Sequence, residues 1–107
     1  MTQLPEPISD FIDRVNAHDR EAVLDAFADN GFVDDWGRVF TGRAAIAEWS
    51  DREFVGATGT LAVEQTIVDG NDVTVTGDWR STHANGRSRF EFRIAGDRIA
   101  SMTIREG

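Results

Sequence analysis

At 107 residues the chain has the length of one domain, residues 1–107, large enough to bury roughly two-thirds of its unfolded surface. Its formal charge of −8 argues against nucleic acid and anionic membranes, which select basic surfaces. Cysteine is absent, so no disulfide frame, thiolate nucleophile or cysteine metal site is available. His18 and His83 are the only imidazoles, too few for a zinc site of three or four ligands, and neither a metal nor a cofactor is expected. Every cation is arginine and Asp outnumbers Glu twelve to seven. A high-salt cytoplasm and a GC-rich genome both produce that balance.

The stretch Met1-Thr2-Gln3-Leu4-Pro5-Glu6-Pro7 has no basic region and no apolar run. Neither a signal peptide nor a membrane span is expected, and a cytoplasmic location is the default. Ile8, Phe11, Ile12 and Val15 recur at helical spacing, with Pro5 and Pro7 suited to the helix start. Asn16-Ala17-His18-Asp19 breaks that helix. Asp19 is a good N-cap for a second one carrying Ala22, Val23, Ala26 and Phe27. Asn30-Gly31 is expected to end it, since both residues tolerate a left-handed backbone. Residues Phe32–Phe40 read as a short strand and turn, and Thr41-Gly42 opens a third helix with Ala45, Ile46 and Trp49 on one face.

From about residue 57 the pattern changes to period two. Leu61, Val63, Gln65 and Ile67 alternate with polar neighbours, and Asp69-Gly70-Asn71-Asp72 is a hairpin turn. Val73, Val75, Gly77 and Trp79 continue the alternation. Asn85-Gly86 is the strongest short hairpin signal in the chain. A turn centred there sets Phe90 opposite Ser81 and Phe92 opposite Trp79, with Trp79, Ser81 and His83 on one strand face. Ala95-Gly96-Asp97 turns again, and Met102 and Ile104 close the last strand. Three helices followed by four antiparallel strands is an α+β pattern. Arg87, Arg89 and Arg93 fall on the solvated or dimer-facing side of the sheet.

The strongest functional lead is Asp34-Asp35, set among Phe32, Val33, Trp36, Val39 and Phe40. Neighbours on a strand point to opposite faces, so one of the two carboxylates points toward the core side. Such a group costs free energy unless it is paired, protonated or used. One of the two is therefore a candidate general base; without such a role, Asp35 is a turn cap or an ion-pair partner for Arg38 or Arg43.

The run Asp10–Val23, then Phe27-Ala28-Asp29-Asn30, Val33-Asp34-Asp35-Trp36-Gly37, Gly42-Arg43-Ala44-Ala45-Ile46 and Gly96–Met102, resembles the SnoaL-like and ketosteroid-isomerase-like branch of the nuclear transport factor 2 superfamily. The order and spacing of these segments carry the resemblance over nearly the whole chain. It implies a cone-shaped curved antiparallel sheet wrapped around three N-terminal helices, a cystatin-like α+β barrel with a pocket at its open end, and a homodimer. It also places Asp35 at the isomerase's general base. Phe11 falls where the isomerase has its oxyanion-hole tyrosine, and Phe90 where it has a protonated aspartic acid. Losing even one such donor costs about 3–4 kcal/mol of transition-state stabilisation, so ordinary steroid isomerisation is not expected. The limonene-epoxide-hydrolase branch uses an Asp-Arg-Asp water-activating group, which the sequence alone does not assemble.

The expected function is binding of a small, largely apolar molecule in the cone, with Asp35 and His83 as catalytic residues for isomerase- or cyclase-type proton transfer. Phe11, Trp36, Trp49, Trp79, Ser81, Phe90, Phe92 and Met102 are the expected pocket lining. A non-enzymatic binding or dimerisation module, and a protein-interaction domain using the outer sheet face, stand as alternatives.

Overall fold

The structure is a computed structural model and describes residues 4–107. The leader reading falls in part on residues 1–3, outside that range. Among the described residues no helix is long and apolar enough to cross a membrane.

Three helices, α1 (Glu6–Asn16), α2 (Arg20–Asp25) and α3 (Arg43–Glu53), accompany six strands. The strands are β1 (Phe27–Asp35), β2 (Arg38–Thr41), β3 (Thr60–Asp69), β4 (Asp72–Arg80), β5 (Gly86–Ala95) and β6 (Arg98–Glu106). They form one sheet in the order β2-β1-β6-β5-β4-β3. The fold is the expected α+β cone, but the sheet is mixed, because β1 runs parallel to β6 while every other pair is antiparallel.

The stripe read from helical spacing is the buried face of α1: Ile8, Phe11, Ile12 and Val15. Pro5 caps that helix, and a second proline lies in its first turn. His18 takes a left-handed backbone, φ 56°, and its Nε2 lies 3.0 Å from the Gly59 carbonyl oxygen. Asn16 completes the stitch, with its Nδ2 donating to the Leu61 carbonyl at 3.0 Å and its Oδ1 accepting from the Leu61 N–H at 2.7 Å. Asp19 caps α2 as read, accepting from the Ala22 N–H at 3.3 Å.

The second helix is shorter than its pattern suggested. It stops at Asp25, and Phe27 opens β1. Asn30-Gly31 therefore marks an irregularity inside a strand, where the pairing with β6 jumps from Phe27↔Ile99 to Phe32↔Ser101. A Cβ on Gly31 would lie 2.9 Å from the Ala28 carbonyl oxygen and 3.1 Å from that of Ile99. The glycine serves close backbone approach at a bulge rather than a helix end.

The second correction concerns Asn85-Gly86. Strand β4 ends at Arg80 and residues 81–85 form a loop, so Trp79 faces Gly86, Val75 faces Phe90 and Val73 faces Phe92. The Ser81 hydroxyl accepts from the His83 and Ala84 N–H groups at 3.1 and 2.9 Å, while Asn85 Oδ1 accepts from the Ser81 N–H at 3.0 Å. Two side-chain acceptors thus close a loop where a two-residue turn was expected. Phe90 pairs six positions from the expected partner, an even number. The side-chain period of a strand is two, so Trp79, Phe90 and Phe92 still share the inner face.

That inner face and the helices enclose one apolar cluster, in which Val33, Val75, Ile99 and Met102 are fully buried. The narrow end of the cone is packed by Phe11, Val15, Leu61 and Phe92, leaving only about 10 Å³. Above it the rings of Phe40, Trp49, Phe54 and Trp79 stack in sequence, with centroids 6.1, 4.8 and 4.8 Å apart, and Phe90 tilts against Trp79 at 5.9 Å. Such offset pairs add about 0.5–1.5 kcal/mol each beyond their buried area.

Candidate functional site

Trp36 and Gly37 both have positive φ, 55° and 92°, so the turn joining β1 to β2 is of the primed type that matches strand twist. The turn pairs Asp35 with Arg38, while Asp35 also lies beside Ile104 of β6. Alternation from Val33 then sends Asp35 to the inner face and Asp34 to the outer one.

Asp34 is held there by Arg105, whose Nη1 and Nη2 donate to Oδ1 and Oδ2 at 3.1 and 3.2 Å. The Gly37 N–H adds a bond to Oδ1 at 2.8 Å. The Arg105 hydrogen bonds, then the Gly37 bond, keep its carboxyl below the usual aspartate range.

Asp35 enters a different network. Its side chain is 13% exposed. Oδ2 accepts from Arg38 Nη2 at 2.6 Å and from Trp49 Nε1 at 3.0 Å. No described residue donates to Oδ1. Arg38 continues to Glu53, with Nη1 to Oε2 at 3.0 Å and Nη2 to Oε1 at 2.6 Å. Glu53 Oε1 in turn lies 3.1 Å from His83 Nε2. Asp35, Arg38, Glu53 and His83 thus form one continuous polar string. Hydrogen bonding to Arg38 holds the Glu53 carboxyl below its ordinary range against the opposing pull of burial, and the Arg38 charge adds to it. The same bonds push the guanidinium upward, so Arg38 stays charged.

This string forms the polar side of a cavity of about 250 Å³. Trp36, Phe54, Trp79, Phe90 and Ile104 supply apolar walls, and Ser88 one hydroxyl. Of the expected lining, Trp36, Trp49, Trp79 and Phe90 face this cavity. Phe11, Phe92 and Met102 do not, because the cone is filled at their level. Ser81 does not, because its hydroxyl is spent inside the 81–85 loop. His83 stands in that loop rather than on a strand, half exposed, against Glu53.

Glu53 is the residue that sequence reasoning missed. It continues the Ile46–Trp49 stripe of α3 at helical spacing, and a carboxylate on the apolar side of a helix was the available signal. Arg38, an ion-pair candidate for Asp35 by sequence, joins two carboxylates in the string Asp35–Arg38–Glu53; the second acid is a glutamate on α3, so this is not the Asp-Arg-Asp set of the epoxide-hydrolase branch. Arg43 instead pairs with Asp25 at 2.6 Å and Glu21 at 3.3 Å. Among the described residues no group of three or more His, Asp or Glu side chains is arranged to hold a metal ion.

The SnoaL-like domain family matches residues 8–107. The chain belongs to the SnoaL-like family. No curated protein matches this SnoaL-like chain, but solved structures do. A proposed polyketide cyclase from Sinorhizobium meliloti superimposes with a TM-score of 0.87 at 24% identity, over 95% of both chains. A Mycobacterium tuberculosis protein in complex with estradiol-17beta-hemisuccinate gives 0.79 at 19%, over 94% of this chain and 91% of that one. A protein with a ketosteroid isomerase-like fold from Catenulispora acidiphila, in complex with trimethylamine, gives 0.80 at 19%, over 98% and 88%. At such identities the likeness shows the shared fold, that of the nuclear transport factor 2-like cone.

Proposed function

We propose that this SnoaL-like chain, one domain over residues 1–107, binds a small, largely apolar molecule in the cone and that Asp35 transfers a proton there, in isomerase- or cyclase-type chemistry. The observation that carries this reading is the Asp35 carboxylate at an aromatic cavity, with Oδ2 fixed by Trp49 and Arg38 and Oδ1 left open. A base held at one oxygen presents the other in a constant direction, the positional requirement of general-base catalysis. His83 lines the same cavity and is a second proton carrier there. The volume is just below the usual range for ligand pockets, about 300–1,000 Å³, so the ligand is small. The steroid- and amine-bound relatives support a small-molecule role.

One observation favours a binding module without catalysis. Phe11 and Phe90 are 2% and 3% exposed, and neither supplies a donor to a developing oxyanion. The outer sheet face carries ion pairs such as Arg93–Asp72 and Arg87–Glu64 beside the exposed Ile67. It is the surface through which we infer a homodimer. A cytoplasmic location and no role for nucleic acid or membrane complete the reading. Light scattering at low and high salt tests the dimer, since a −8 chain self-repels most at low ionic strength.

Crystals soaked with 2-naphthol, an apolar probe with one hydroxyl, test the binding reading. Density in the cavity touching Asp35, matched by saturable quenching of tryptophan fluorescence, is the expected result. Saturable binding elsewhere with an empty cavity would overturn it.

A further inference from the structure

The polar string at the cavity does not balance its charges. Asp35 and Glu53 are two carboxylates, and Arg38 is the one permanent cation between them. Both Nη groups of Arg38 are committed to these two acids, and its guanidinium also lies over the Phe40 ring, 5.7 Å from the centroid. Trp49 spends its single N–H on Asp35. His83 faces Glu53, so any positive charge it acquires serves that end of the string. At the other end, Asp35 Oδ1 receives no hydrogen bond from any described residue. The open hydrogen-bonding capacity of this carboxylate is therefore an acceptor; Arg105 acts on it through space while its own hydrogen bonds go to Asp34.

The fold adds to that sign. Helix α3 ends at the cavity, with its last residue Glu53 and its C-cap Phe54 both in the lining. The carbonyl end of a helix carries partial negative charge and favours cations. Trp36 stands at the rim 61% exposed, and an indole face attracts cations too. The net charge of −8 raises the local concentration of cations over the whole surface.

We propose that the ligand of this cavity is an apolar molecule bearing a protonated amine, whose N–H donates to Asp35 Oδ1. The proposal rests on the small-molecule reading above and names its chemical class.

Three probes with one ring and different head groups test this: benzylammonium, benzyl alcohol and benzoate, titrated calorimetrically into the intact chain at pH 7 and low salt. Benzylammonium is expected to bind roughly tenfold tighter than benzyl alcohol, as a hydrogen bond between two charged groups exceeds one to a neutral donor, and benzoate weakest. The wild-type ranking needs no variant. In Asp35→Asn the preference for the ammonium over the alcohol should vanish while alcohol binding persists. Benzyl alcohol or benzoate binding as tightly as benzylammonium to the wild type would overturn the amine proposal and leave small-molecule binding intact. Binding of none of the three would overturn both.

Discussion

The indole of Trp49 and the carboxylate of Asp35 meet at 3.0 Å, joining the middle of α3 to the end of β1. Trp49 is 2% exposed, with its ring stacked between Phe40 and Phe54. Removing the nitrogen while keeping an aromatic ring deletes the hydrogen bond together with part of the indole's buried volume. Trp49→Phe should therefore destabilise the chain by about 2–3 kcal/mol, from a lost bond to a charged group and a small cavity. Urea unfolding measures this. A loss within experimental error would mean that the bond contributes nothing net and that Arg38 alone orients Asp35.

Asp35→Asn keeps shape and nearly all volume but cannot accept a proton near neutral pH. If the chain turns over a substrate, the variant should fold, bind a neutral ligand and lose kcat by much more than KM rises, since the lost interaction belongs to the transition state. Steady-state kinetics beside a melting curve checks it. Unchanged turnover would move the base elsewhere, with His83 the next residue to examine.

The acid limb of stability should be governed by the depressed carboxylates, Glu53 and Asp34 together with the more exposed Asp51 beside Arg20. Arg38 holds the Glu53 carboxyl below its ordinary value of 4.5, and Arg105 holds that of Asp34 below 3.8. A depressed carboxylate contributes stability that is complete above its unfolded-state value and is lost as pH falls through the folded one. Urea midpoints should stay level down to about pH 5 and then fall as pH drops below the ordinary carboxylate values and through the lower folded-state ones. Arg38→Gln should lower the midpoint at neutral pH and flatten the acid decline. An equally steep decline in the variant would show that the Arg38–Glu53 pair does not set it.

Gly59 lies under the aromatic stack. A Cβ there would fall 2.1 and 2.2 Å from the Trp79 indole carbons Cη2 and Cζ2, and 2.9 Å from the Phe54 carbonyl oxygen. Trp79 is itself held against Phe54 and Phe90, so the ring has little room to yield. Gly59→Ala should cost about 1–3 kcal/mol through overpacking and should alter tryptophan fluorescence as Trp79 shifts. A variant with wild-type stability and spectrum would show that the stack can move.

Local chemistry settled much of this protein from its sequence. The apolar stripe of α1, the Asp19 cap, the turns at Gly70 and Gly96 and the requirement that one of Asp34 and Asp35 point inward each depend on a few adjacent residues with a fixed period or a required backbone angle. The order and spacing of longer segments were enough to name the family. Tertiary packing decided the rest. Asn30-Gly31 and Asn85-Gly86 carry genuine turn chemistry, yet one pair sits in a bulge pressed against β6 and the other closes a longer loop, because neighbouring backbone and side-chain acceptors competed for them. Which aromatics border a cavity depended on where the cone fills, and that is a sum over many side-chain volumes. The string Asp35–Arg38–Glu53–His83 joins the β1–β2 hairpin, the end of α3 and the loop after β4. No local period links those segments; only the curvature of the sheet around α3 brings their charges within bonding distance.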